Sequence, residues 1–166
     1  MIDRRHALLL LVAAVVAAWL PPSPIYAQGF QRFVPFLIEL DGWRADKPDG
    51  VSMQMPGHSM DTVTRKYTRG NATIDAQIIV GPAALGLLAP MQAGIKVETA
   101  EGRMSTSTID GLVVMRTYTV SDKSGAIVVA LADNAAFSLS FNGLADEEAL
   151  TLARKFNWKA MQGAMK

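Results

Sequence analysis

The chain of 166 residues contains no cysteine. That excludes disulfides, thiolate metal ligands, a thiol nucleophile and a lipid-modified N-terminal cysteine. Histidine is nearly as scarce. Of the two present, His6 falls in the N-terminal leader read below, which leaves only His58. One imidazole is too few for His-pair metal sites and most zinc sites, and it leaves His58 as the sole imidazole base that acyl-transfer machinery could use. Charge of either sign is also in short supply. Sixteen Lys+Arg face fifteen Asp+Glu, a net +1, whereas a nucleic-acid binder carries a basic excess. At 50% hydrophobic residues and near-zero net charge the chain is not of the disordered type either. No phosphate-cradling glycine loop and no dinucleotide fingerprint occurs.

What is there begins with an address. Residues 1–27 read as a cleaved signal peptide. Arg4, Arg5 and His6 form a positive start, Ala7 to Leu20 is an apolar run of fourteen residues, and Pro21, Pro22, Ser23 and Pro24 end it. Ala27 is a small residue placed for cleavage before Gln28. A helix of that length rises about 21 Å, short of the roughly 30 Å hydrocarbon core, so no stable membrane anchor is expected after cleavage. Arg4-Arg5 partly matches a twin-arginine signal, but Ala7 stands where an aromatic or Leu is usual, and the general secretory route is favoured. The expected location is periplasmic. Residues 28–166 then form a single neutral domain, large enough for a core without disulfide staples.

Along that domain the patterning alternates between helix and strand. Gln31 to Glu39 predicts a short first helix with Pro35 in its first turn, ended by Asp41-Gly42, after which Trp43 begins a short strand. Lys47-Pro48-Asp49-Gly50 is a turn. Asp61 to Arg69 and Ala72 to Val80 are strands about Gly70-Asn71, the second with strict period-2 alternation. Asp110-Gly111 between Met104–Ile109 and Leu112–Val120 is a strong hairpin signal. Ala126 to Leu131 and the run through Phe137, Leu139 and Phe141 complete a four-stranded meander. Ala76 to Ile95 carries no charge. Its prolines and glycines argue for a buried strand followed by an apolar helix near Pro82–Gln92 rather than a membrane span. A last helix is predicted from Asp146, Glu147 and Glu148 in its first turn to Arg154, Lys155 and Lys159 near its end, with Ala149, Leu152, Ala153 and Phe156 as its core stripe. The expected class is α+β: a single antiparallel sheet with helices packed on one face.

Chemistry is sparse. Gly57-His58-Ser59-Met60-Asp61 is a near miss to the G-x-S-x-G elbow. Its last glycine is Asp61, no helix follows, and the base is adjacent to the serine, so a hydrolase is rejected. Glu39 and Asp41, Glu98 and Glu101, and Asp146 to Glu148 read as solvated charges or helix caps rather than acid/base pairs. Trp43, Tyr67 and Trp158 read as core or half-buried lids rather than a ligand groove.

The pointed cluster is Met53-Gln54-Met55-Pro56-Gly57-His58-Ser59-Met60, three thioethers and an imidazole within eight residues. On a strand, Met53 and Met55 share a face about 6.6 Å apart. A turn at Pro56-Gly57 can bring His58 and Met60 onto them. Soft thioethers with imidazole suit Cu(I). The competing reading is packing, since Met fills irregular cores and the chain has nine. His58-Ser59-Met60 is similar to the H-x-M element of periplasmic copper chaperones, whose pattern the rest of the chain does not follow.

The wider order of landmarks resembles a widespread group of small exported bacterial proteins of unknown role. The landmarks are Leu40-Asp41-Gly42-Trp43, Arg65-Lys66-Tyr67-Thr68, Ile109-Asp110-Gly111 leading into Arg116-Thr117-Tyr118, Ser124-Gly125 and the closing helix. The layout is similar in outline to the Mog1/PsbP-like α+β fold. The resemblance implies a fold and carries no functional residue. The expectation for function is a non-enzymatic binding or accessory module, with a protein partner at Ala83–Met91 or a small ligand. The alternative is a periplasmic Cu(I)-binding protein using Met53, Met55, His58 and Met60.

Overall fold

The computed structural model describes residues 29–165. The signal peptide read over residues 1–27 lies outside the described residues. Nine strands form one antiparallel sheet: β1 (Arg44–Ala45), β2 (Asp49–Met55), β3 (His58–Arg69), β4 (Ala72–Val80), β5 (Lys96–Glu98), β6 (Gly102–Ile109), β7 (Leu112–Thr119), β8 (Ser124–Ala132) and β9 (Ala135–Asn142). Their spatial order is β1-β3-β4-β9-β8-β7-β6-β5, with β2 also pairing β3. The meander β6 to β9 is therefore joined to the earlier strands through β4 and β9, whose register sets Ile78 opposite Phe137 and Ile74 opposite Phe141.

Turn chemistry fixes the hairpins. Asp110 and Gly111 both take positive φ, 52° and 78°, the type I′ geometry that matches strand twist. Strand β2, which the sequence offered only as the line on which Met53 and Met55 would share a face, is a full seven-residue strand. The short edge strand β5 was not anticipated.

Every helix is shorter than its sequence pattern suggested, each for a local reason. The first is a 3₁₀ helix, Phe30–Phe36, with Pro35 near its end rather than in its first turn. A proline there lacks its N–H and clashes with the carbonyl four residues back, so an α-helix cannot continue through it. The apolar helix is α1 (Pro82–Leu88), and its continuation Ala89–Ala93, with Pro90 in its first turn, is 3₁₀. The closing helix is two helices, α2 (Asp146–Ala153) and α3 (Trp158–Gly163). Asn157 starts the second by accepting the Ala160 N–H at 3.0 Å, a side-chain N-cap. Lys159 thus belongs to α3, not to the end of the preceding helix.

The helices divide between the two sheet faces, where the sequence pattern had suggested one. The larger core sets Ile74, Ala76, Ile78, Ile127, Val129, Phe137, Leu139 and Phe141 against Phe33 and Leu37, the predicted stripe Ala149, Leu152, Ala153 and Phe156, and Met161. Alternate positions on the same strands, Ile79, Val128 and Ala136, join Met115 in a smaller cluster with Ala84, Leu88 and Met91. Successive strand residues point to opposite faces, so α1 lies across the sheet from α2 and α3. Each large side chain so buried contributes about 1.5–3 kcal/mol. No helix among the described residues is long and apolar enough to cross a membrane.

Candidate metal centre

The β2–β3 hairpin places Met55 opposite His58 and Met53 opposite Met60. Met53 and Met55 are two residues apart on one strand, and His58 and Met60 two apart on the other. Directly paired residues of an antiparallel ladder share a face, and so do residues i and i+2. All four side chains therefore stand on one face of one hairpin. Cβ atoms lie about 5 Å apart across the pair and about 6.6 Å apart along each strand. That span is within reach of flexible thioether arms.

The turn that makes this possible is Pro56-Gly57. Proline sets φ near −65° and Gly57 takes φ 80°, the type II combination. The face is open: Met53 is 45% and Met55 49% exposed, His58 is exposed and Met60 half-buried. Met53 and Met55 are thus not the core filling that the competing reading required.

The reverse face of the hairpin is held. Ser52, which points away from the methionines, accepts the Phe30 N–H at 2.9 Å, and Arg32 reaches Asp61 at 3.7 Å. A second support comes from Gly81 at the start of α1. A Cβ there would lie 2.3 Å from the Ser59 carbonyl oxygen, and φ is 105°, so glycine lets α1 press against β3 beside the site. The hairpin tip is therefore fixed from below and from one side, while its outer face carries Val51, the three thioethers and the imidazole.

The other sequence candidates fall elsewhere. His58 and Ser59 are successive strand residues on opposite faces, so they form no dyad. Tyr67 is fully buried, and Trp43 and Trp158 nearly so. They are core, not a groove. The Tyr67 hydroxyl donates to the Ile38 carbonyl at 2.8 Å. Burial, only partly offset by the nearby Arg65 charge, pushes its pKa well above the ordinary phenol value. Glu39 pairs with Arg65. Glu98 and Glu101 are exposed. Among the described residues no three His, Asp or Glu side chains gather into a cluster.

One polar constellation escaped the sequence reading. Asp146 is not a solvated cap but is buried at 4% exposure. Its Oδ2 meets Arg103 Nε and Arg116 Nη2, each at 2.8 Å, and Arg116 also reaches Glu147 at 2.6 Å. Burial opposes the charge of Arg116, but the hydrogen bonds it donates to Glu147 and Asp146 outweigh that and hold its pKa above the ordinary value. Asp146 Oδ1 and Arg116 Nε find no partner among the described residues. A signal did exist: Arg116 sits between Val114 and Tyr118 in the inward-facing row of β7, and a core-facing arginine requires a carboxylate.

No protein-family model, curated protein or solved structure matches the chain.

Proposed function

We propose that this chain is a non-enzymatic binding module whose ligand is Cu(I), taken by the thioethers of Met53, Met55 and Met60 and the imidazole of His58. The observation that carries this reading is the hairpin register, which pairs Met55 with His58 and Met53 with Met60 on an exposed face. Three neutral sulfurs and one imidazole form a soft, uncharged donor set, which favours a monovalent soft ion over Zn²⁺, Mg²⁺ or Ca²⁺. The export signal read from residues 1–27 supports a role outside the cytoplasm. Three of the four donors are thioethers, which need no deprotonation to bind.

A Cu(I) competition titration against a chromophoric chelator tests the reading. One ion per chain is expected. Substitution Met53→Ala/Met55→Ala is expected to lower affinity by more than the roughly 10–100-fold that loss of a mere supporting partner costs. Competition no better than that of the double variant overturns the reading.

A second reading makes the ligand a protein docking on the outer side of α1. It is favoured by Leu85, 51% exposed, among exposed Pro82, Ala83 and Gly86 in a stretch without charge. A photocrosslinker at Leu85 that captures one discrete partner, unchanged by the methionine substitutions, supports it.

A further inference from the structure

The described methionines differ widely in exposure, with Met60, Met104 and Met165 half-buried between two extremes. Met91, Met115 and Met161 are buried, at 5%, 9% and 0% exposure, whereas Met53 and Met55 stand 45% and 49% exposed. Both exposed thioethers belong to the metal face. A sulfur lone pair that is open to solvent can be given to a metal ion or to an electrophilic oxygen, and one act removes the donor from the other.

We infer that Met53 and Met55 form an oxidant-sensitive modification site, at which sulfoxidation by a hydroperoxide and occupancy by a soft monovalent ion exclude each other. The inference rests on the metal reading above. In the oxidation step the Sδ lone pair attacks one peroxide oxygen and the O–O bond breaks. The departing hydroxide, or alkoxide where the hydroperoxide is organic, takes the proton from the transferred oxygen and leaves as water or the alcohol. Sulfur loses two electrons and the peroxide gains two. The product presents a hard sulfoxide oxygen in place of a soft thioether. Met60, half-buried on β3, and His58 remain, too few to hold the ion as before. The change is reversible, since methionine sulfoxide is a substrate for dedicated reductases. Because the reverse face of the hairpin is clamped through Ser52 and Asp61, oxidation empties the site without unfolding its frame.

The test treats the purified protein with hydrogen peroxide and follows each methionine by peptide mass spectrometry, with and without one equivalent of Ag(I). Silver serves as a soft ion of the same charge that does not itself reduce peroxide. Silver affinity is measured separately by calorimetry on unoxidised and oxidised samples. Met53 and Met55 are expected to oxidise at least about tenfold faster than Met91, Met115 and Met161, following access to the sulfur. Silver is expected to slow those two and leave half-buried Met104 unchanged. The oxidised protein should bind silver at least about tenfold more weakly, as a site missing two soft donors does.

If silver binds but does not slow oxidation, mutual exclusion is overturned and the metal reading stands. If silver fails to bind the unoxidised protein, the metal reading falls and the exclusion falls with it. Equal oxidation of exposed and buried methionines overturns the modification site itself. A Met53→Leu/Met55→Leu variant, which keeps the apolar shape, is expected to fold as the parent and to lose both the early oxidation and the silver protection.

Discussion

Two side-chain constellations in this molecule are built alike and differ in what they leave undone. Met53, Met55, His58 and Met60 stand on one face of a hairpin, all but half-buried Met60 exposed. Arg103, Arg116, Asp146 and Glu147 also bridge neighbouring strands and a helix, but their charges cancel within the group and Asp146 is sealed from solvent. The second has turned its polar chemistry inward and acts as a clamp between β6, β7 and α2. The first contributes little to holding the fold together, which leaves its thioethers and imidazole free for the binding role proposed above. Exposure combined with unspent donors, rather than the mere gathering of functional groups, separates a candidate site from a structural network.

The sharpest way to break the contrast is Asp146→Ala. It leaves the guanidinium of Arg116, only 17% exposed, without its main counter-charge, and removal of one partner from a buried pair costs about 3–5 kcal/mol. Thermal melting should fall by about 10 °C or more, while Cu(I) affinity of the folded fraction stays unchanged. Gly57→Ala has the next largest effect. Its φ of 80° disfavours any Cβ by about 1–2 kcal/mol. The expected result is a modest drop in melting temperature with a measurable loss of metal affinity, because the turn sets the donor geometry.

Tyr67→Phe removes the bond to Ile38 and should cost about 1 kcal/mol. It also tests an alkaline limb. The folded state holds the phenol neutral beyond the ordinary tyrosine range. The stability from this group is therefore complete below about pH 10, the unfolded value, and is lost as pH climbs from there toward the raised folded value. Chemical denaturation at pH 9 and pH 11 should show a smaller decline for the variant than for the parent. Smallest of all is the effect of Met53→Ala/Met55→Ala on folding, expected within about 0.5 kcal/mol because both side chains are exposed. A melting curve near that of the parent, alongside a large loss of Cu(I) binding, sharpens the contrast. A collapse of stability would place the methionines with the clamp.

The sheet was legible because its signals are local. Alternation over Ala72 to Val80, Asp-Gly between β-rich runs and the meander spacing need no tertiary knowledge, and these strands lie within two residues of expectation. The helices were less so. Pro35, Pro90 and Asn157 each redirect a run that periodicity alone would continue, and which sheet face a helix covers depends on crossovers that no period encodes. The four donors were visible as a cluster. The turn at Pro56-Gly57 offered a way for them to converge, but which residue pairs with which, Met55 with His58 and Met53 with Met60, is a property of the hairpin register that the sequence does not print. Asp146 was misread because first-turn acids are usually solvated, whereas here Arg103 and Arg116 arrive from strands about thirty to forty residues away.

The two-residue turn at Pro56-Gly57 has a consequence for how the sequence can vary. Side chains on a strand repeat every two residues, so adding or deleting one residue in this loop shifts β2 by one step against β3. Met53 and Met55 would then turn toward the first helix, and Ser52 and Gln54 would take their places. Since β2 is an outer strand paired only with β3, the remaining eight strands need not move. Loop length at this single point therefore works as a toggle, and copies of this domain that differ there by one residue would share a fold while only one of them presents three sulfurs and an imidazole to solvent.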